Sequence, residues 1–405
     1  SLERNWILYD VGNSAFVADG GHPYPHFLQR RWRQPEGLSS VEYLAYWGYA
    51  SSAVTIITAV LSPILGTVAD TKGFKKPIFI LCVFVGIVGC CAMGAVSAWL
   101  PFLAIFVIAK VGFSGSLVFY DSMLSDVTTP ERMDEVSSRG YAWGYIGSCV
   151  PFVVCLGLVL GAGSIGISQM TALNLALLLT AAWWLLTTLP LLKSYKQLYY
   201  VEVEKHAVRQ SFARIGHTLR HLPEDKQVFW FLLAFFCYID GVYTIIDMAT
   251  AYGTALGLDT TGLLLALLVT QIVAFPSALV FGRLSNKYPS AKLIPVCIAA
   301  YAGIAVFAFF LTQQWQFWVL AVIVGMFQGG VQALSRSHFA KIIPPEKSGE
   351  YFGLFDICGK GASFLGTMIV SVGSQLTGSA NVGVGSRHPA VHRGIRAVQG
   401  VLPSG

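Results

Sequence analysis

Residues 77–121 read PIFILCVFVGIVGCCAMGAVSAWLPFLAIFVIAKVGFSGSLVFYD. Between Lys76 and Asp121 the stretch holds one charged residue, Lys110. A helix needs about 20 predominantly apolar residues to cross the hydrocarbon core of a bilayer. This stretch is long enough for two such helices, 77–97 and 100–121, with a short link between them.

The same pattern repeats on both sides. Further apolar segments lie at 41–65, 141–162, 171–192, 227–249, 261–282, 293–312, 315–335 and 351–375, which makes ten spans. An eleventh segment opens the chain at Asn5 with WILYDVGNSAF and then breaks off. The composition agrees: of 405 residues 55% are hydrophobic and 12% charged. Soluble domains carry about 25% charged residues, so this chain cannot coat a soluble body of its size. Disordered chains are charge-rich and apolar-poor, the opposite of this one. Eight cysteines, all inside apolar runs and none in a CxxC, argue against a disulfide scaffold. The chain reads as an all-α polytopic membrane protein. It opens on Ser1, so its start is expected to be missing; no cleavable leader is visible.

The net charge of +6 is distributed as a topology signal. The loops after the second, fourth, sixth, eighth and tenth spans carry the Lys and Arg residues. The loops at 97–100, 161–170, 250–261 and 312–315 carry none. Positive loops mark the cytoplasmic side, so the N-terminus is expected there. No basic face suited to nucleic acid remains. The longest loop, 193–226, contains Val208, Phe212, Ile215 and Leu219 at helical spacing among basic residues. It predicts a linker with an amphipathic helix lying at the membrane surface.

An internal repeat orders the spans. Pro130, Glu131, Arg132, Glu135 and Gly144 match Pro345, Glu346, Lys347, Glu350 and Gly359 at an offset of 215, and Gly115 matches Gly330 likewise. Gly66 and Gly282 occupy equivalent loops. The expected organisation is an N-terminal six-helix bundle (1–192), the linker (193–226) and a C-terminal bundle (227–380). About twelve spans in parallel repeats is the architecture of the major facilitator transporters. Residues 17–34 and the tail from Arg387 are polar and basic where apolar helices are needed. Read one base later, His, Tyr and Asp codons yield Ile, Thr or Met, which permits an apolar helix. A shifted reading frame is the expectation for both, so 381–405 reads as an aberrant tail. Real divergence, with a short first helix and an outer loop, is the alternative.

Charges at membrane depth are costly and mark functional candidates. Asp10 lies in the first span, with Asn13 beside it. Lys110 lies in the fourth, Asp240, Tyr243 and Asp247 in the seventh, and Asp356 and Lys360 in the eleventh. Asp10 and Asp240 open the two halves and could face one cavity, carry a proton, bind an amine, or cap loose backbone. Lys110 could bind a carboxylate or pair with an Asp. Asp356 and Lys360 are spaced to neutralise each other across one helical turn. Gln328, Gln332 and Arg336 form a stripe on the tenth span. The amides could line a polar path or bond to a neighbouring helix, and Arg336 could snorkel or cap. The GAGSIG stretch at 161–166 matches GxGxxG but follows no strand, and His217 with His221 lacks an HExxH context. No cofactor and no metal are expected.

The loop GTVADTKGFKK resembles the signature G-x-x-x-D-x-x-G-[RK]-[RK] of the major facilitator superfamily, carried by Gly66, Asp70, Gly73, Lys75 and Lys76. YDVGNSAF, DGVYTIIDMA, GGVQALSRSHFAKIIP and EYFGLFDICGKGASFLG resemble the branch of the autophagy-related vacuolar amino-acid effluxers and their bacterial relatives. The resemblance runs from Asn5 to about Gly378. It implies alternating access, with the first, fourth, seventh and tenth spans lining the path. It also implies a conformational latch built from the loop signature, with Arg283 in the second half.

The function expected is secondary active transport, by efflux, of small solutes such as amino acids, with protons as a coupling ion. Mixed charges at membrane depth suit a zwitterion. The partners expected are the solute, protons and the bilayer, with the chain a monomer. A non-transporting product of a decayed gene is the alternative. An integral-membrane enzyme would need a catalytic cluster near one interface, and the sequence offers none.

Overall fold

Nearly every apolar segment folds as a helix that overruns its apolar core at the basic end. The computed structural model describes residues 2–21, 40–96, 98–202, 207–255 and 257–361; within them some side chains, such as those of 17–21, 40–45 and 247–252, are excluded. The N-terminal half holds α1 (Leu2–Gly21), α2 (Ser40–Ala69), α3 (Lys75–Ala95), α4 (Trp99–Ser122), α5 (Met133–Leu160) and α6 (Gln169–Ser194). The linker holds α7 (Ala207–His221). The C-terminal half holds α8 (Lys226–Ala255), α9 (Thr260–Leu284), α10 (Ser290–Phe309), α11 (Gln314–Ile342) and α12, described over 348–361. Among the described residues, eight helices (α2–α6 and α9–α11) are long and apolar enough to cross a membrane. The remaining regular pairing there is a single bridge, Thr71 to Val201.

Several boundaries differ from the sequence reading. The first segment continues as helix through Gly21 instead of breaking after Phe16. The fifth begins at Met133 rather than 141, and the tenth runs to Ile342 rather than 335. The added turns of the fifth and tenth are polar because they lock against the other half. The segments suspected of a shifted frame fall almost wholly outside the described residues.

Local chemistry starts the helices on the opposite side. Ser168 caps α6 by accepting from the Thr171 amide at 3.1 Å, and Asp259 caps α9 through the Gly262 amide at 2.8 Å. Without a hydrophobic drive between helices in lipid, small residues permit close packing. A Cβ on Gly112 would stand 2.8 Å from the Cys82 carbonyl oxygen, so α4 lies directly on the α3 backbone. Large apolar side chains such as Leu81, Phe84, Ile108 and Val296 point outward, as a lipid-facing surface requires.

Each half has its own core. Trp6, Tyr9, Phe79, Phe119, Tyr120 and Trp184 centre the first. Ile239, Cys297, Tyr301, Val331 and Leu334 centre the second. Phe339, Ile343 and Phe352 of the second half join the first core, and they do so at the basic end. The linker helix docks by its polar side: Ser211 and Thr218 are buried, while Phe212 and Leu219 are exposed.

Candidate functional site

The two halves are bound to each other at one end. The hydrogen bonds and ion pairs that Arg336, Ser137, Lys341, Asp70, Lys75 and Asp356 make between them lie within about 14 Å of the basic-end helix termini, by helix rise. At the centre is Arg336 of α11, 2% exposed. Its Nη1 donates to Asp121 Oδ1 of α4 at 2.9 Å, and its Nε to Ser137 Oγ of α5 at 2.9 Å. Its Nη2 donates to the Ser137 carbonyl at 3.0 Å and stands 3.5 Å from Asp10 Oδ2 of α1. The guanidinium carbon lies 4.7 Å from the Trp6 ring and 4.3 Å from the Tyr141 ring. A planar cation with five donors is the group that can hold two carboxylates and a backbone oxygen at once. Arg336 therefore neither snorkels nor caps; it is the knot between one half and three helices of the other. Beside it Lys341 donates to Asp134 Oδ2 at 2.6 Å, and Ser137 donates to the Ala333 carbonyl at 2.8 Å.

The second cluster forms around the loop signature. Asp70, 1% exposed, caps α12 by accepting from the Gly349 amide at 2.7 Å and the Glu350 amide at 2.8 Å. A carboxylate at a helix N-terminus satisfies orphan amides and meets the positive end of the dipole. Lys75 is fully buried; its Nζ donates to Ser348 Oγ at 2.8 Å and lies 3.5 Å from Asp70 and 3.8 Å from Asp126. Asp126 in turn accepts from the Tyr195 hydroxyl and the Leu198 and Tyr199 amides. Burial lifts the Asp70 carboxyl to about 6, and Lys75 and the two amides pull against that rise. Gly66 lies against Gly349, whose Cβ, were it present, would stand 2.6 Å from the Gly66 carbonyl oxygen. Gly73 has φ +77°, a turn conformation that favours glycine.

The remaining candidates differ in burial and in partners. Asn13 donates to Asp10 Oδ1 at 3.3 Å, while the buried Oδ2 accepts no hydrogen bond among the described residues. Lys110 stands 5.2 Å from the Phe16 ring centre and 5.1 Å from that of Phe113; no carboxylate pairs with it among the described residues. Lys360 donates to Asp356 at 2.6 Å, and Ser62 of α2 donates to the same carboxylate oxygen at 2.9 Å. Asp240, Tyr243, Gln328 and Gln332 are half-buried. The Asp247 side chain lies outside the described residues. Lys76 is half-buried and turns away from Asp70, and Arg283 is exposed with no ion pair among the described residues. Sequence reasoning did not single out Asp121, Asp126, Asp134 or Lys341 as site residues. No three His, Cys, Asp or Glu side chains converge as metal ligands among the described residues.

Two helical halves interlocked at one end, with charges facing each other in the membrane interior, define a transporter of the major facilitator fold. The chain belongs to the family described as "Vacuole effluxer Atg22 like", whose profile matches residues 37–386. It is 41% identical over 387 residues to YxiO of Bacillus subtilis, described as an uncharacterised MFS-type transporter, covering 94% of this chain and 90% of that protein. It is 27% identical over 283 residues to autophagy-related protein 22 of Saccharomyces cerevisiae, covering 60% of this chain and 53% of that one. Among solved structures, a bacterial homologue of the iron transporter ferroportin in the outward-facing state superposes with TM-score 0.67 at 14% identity, covering 98% and 97% of the chains. The proton:xylose symporter XylE superposes with TM-score 0.65 at 11% identity, covering 98% and 92%. Those likenesses establish the fold.

Proposed function

We propose that this chain is a secondary active transporter that exports small solutes, amino acids among them, by alternating access coupled to protons. The carrying observation is the one-sided interlock: Arg336 and Asp70 close the basic end by buried polar contacts that water can replace. Residues 1–192 and 227–380 rock about the linker 193–226. The basic end is the cytoplasmic one by the positive-inside rule, in a bacterial cytoplasmic membrane, and the chain acts as a monomer. The closed form is then open toward the outside, the conformation named for the ferroportin homologue it resembles. Gly66, Asp70, Gly73 and Lys75 form the latch with Ser348 and Gly349. The efflux direction follows the family description, and the amino-acid class follows the resemblance carried by the YDVGNSAF and DGVYTIIDMA stretches.

Asp10 is the proton site of this reading. It is buried, it borders the knot, and its Oδ2 has room for a proton. Protonating it weakens its hold on Arg336, which links proton uptake to release of the basic end. Lys110 takes the solute carboxylate. It is a cation against two rings with no carboxylate paired to it among the described residues, whereas Lys360 is neutralised by Asp356. Asp240, Tyr243, Asp247, Gln328 and Gln332 line the same path.

The test is counterflow of radiolabelled amino acids in proteoliposomes, with and without a pH gradient. Wild type exchanges at least one amino acid. D10N keeps exchange but loses acceleration by the gradient, and K110M loses exchange. Gradient-driven transport retained in D10N sinks the proton assignment, and no exchange of any amino acid sinks the substrate class.

A further inference from the structure

The two lysines that end the loop signature part company. Lys75 turns inward to Asp70 and Ser348, while Lys76 turns outward to line a groove of about 450 Å³ at the start of α3. Lys72 and Lys196 line it as well, with Tyr195, Gln197 and Tyr200. Three cations thus share one depression. The acid beside them, Glu202, meets Lys72 at 3.4 Å, with the two side chains 74% and 61% exposed. An ion pair that wet neutralises little.

The groove is built from fixed backbone. The Val201 amide donates to the Asp70 carbonyl at 2.8 Å, and the Lys72 amide donates to the Val201 carbonyl at 3.2 Å. The Gly73 amide donates to Gln197 Oε1 at 3.0 Å, and Gln197 Nε2 donates to the Ala69 carbonyl at 3.2 Å. The Tyr195 hydroxyl is anchored on buried Asp126 at 2.6 Å.

Its height relative to a bilayer follows from the exposed side chains. Ile80, one turn into α3, is exposed and also lines the groove, and Leu81 and Phe84 continue that exposed apolar wall. Phe74 and Leu198 are exposed beside the lysines, and Phe212 of α7 is exposed on the same end of the molecule. Apolar side chains in loops that point away from the protein belong where headgroups meet acyl chains. Three ammonium groups above an apolar wall match a phosphate above an acyl chain.

We propose that this groove binds the headgroup of an anionic phospholipid from the leaflet at the basic end. The site is separate from the solute path: neither Lys110 nor Asp10 lines it. It shares Tyr195 with the latch through Asp126 and Lys75, so an occupied groove braces the closed end.

The test uses the purified full chain in a neutral detergent, titrated with dioctanoyl phosphatidylglycerol and followed by its melting temperature and by native mass spectrometry. Dioctanoyl phosphatidylcholine and inorganic phosphate are the comparison arms. The glycerol lipid is expected to bind and raise the melting temperature, with the choline lipid and phosphate far weaker. Each of K72Q, K76Q and K196Q weakens binding about fivefold, and the three together about a hundredfold, from the worth of a lysine beside an anionic headgroup. K287Q with K292Q, on the same end but outside the groove, leaves binding unchanged. Unaltered circular dichroism and melting temperature without lipid show that the triple variant is folded. Equal binding of the choline lipid, equal binding of phosphate, full binding by the triple variant, or equal loss in the K287Q/K292Q control would each overturn the proposal.

Discussion

Acidification is expected to tighten the closed basic end through Asp70. In the closed form this carboxyl is buried and lifted to about 6 from an ordinary 3.8, with burial the leading cause. Opening the α2–α12 contact hydrates it and returns it toward its ordinary value. A group whose value is raised in one state binds protons preferentially in that state. Its contribution to the closed form is full below the ordinary value and is lost as pH rises through about 6. Between about pH 7 and about pH 5 the closed form gains about 1.3 kcal/mol, about tenfold in the open-to-closed ratio. Spin labels at positions 72 and 346, one on each side of the contact, report the two populations by their distance distribution. A D10N background, which removes the opposing proton site, is expected to shift toward the short distance over that interval. D70N added to it, which cannot titrate there, removes the shift. A D10N/D70N profile that overlays D10N, or a D10N protein that opens on acidification, refutes the reasoning.

Two further perturbations act on the same end. R336Q leaves buried Asp10 and half-buried Asp121 without their cation, at a cost of about 3 kcal/mol to the closed form. The label pair should move to the long distance, with R336K between the two because an ammonium cannot reproduce the fork. A closed R336Q would show that the knot is dispensable. G353A places a methyl 2.6 Å from Pro63 Cα, a backbone atom that cannot rotate away. Overpacking of this kind costs about 1–3 kcal/mol, so this variant should favour the open form at neutral pH. An unchanged distance distribution would mean that α12 shifts freely.

The spans were legible, because they are written in residues that lipid selects. The gate was not. Ser137, Arg336 and Lys341 lie on helical turns too polar to register as membrane segments, and they are polar because the opposing half supplies their partners. Asp121 closes α4 and reads as a loop charge, yet it is half of the Arg336 knot. Lys75 and Lys76 are identical neighbours, and only helix phase decides that one is buried in the latch and the other lines a groove. The Asp126–Tyr195 bond joins residues 69 apart, which no local pattern encodes. Lys110 was legible as a charge at membrane depth, but its position between two rings needed the fold.

The two halves cross over at the closed end, and they do so unequally. Gly66 of the first half packs on Gly349 of the second. Gly282 of the second packs on the first, where a Cβ would stand 2.8 Å from Ser138 Cβ. Four residues after each glycine the sequence places Asp70 and Asn286. Asp70 is buried on the α12 amides, whereas Asn286 is exposed and caps nothing among the described residues. The α5–α9 side is held instead by an apolar contact that continues inward through Ala142, Tyr145, Ala274 and Ala278. Water can replace the polar contacts of Asp70, Ser348 and Asp356 one by one, but it gains nothing by entering the apolar contact. Opening should therefore begin at α2–α12 and swing about α5–α9. Disulfide cross-linking tests this order. Cysteines at 143 and 275, whose native rings are 5.3 Å apart, should still join in a form trapped open by R336Q, while cysteines at 62 and 356 should not. Loss of both cross-links together would mean that the halves separate as flat faces and that α5–α9 is no pivot.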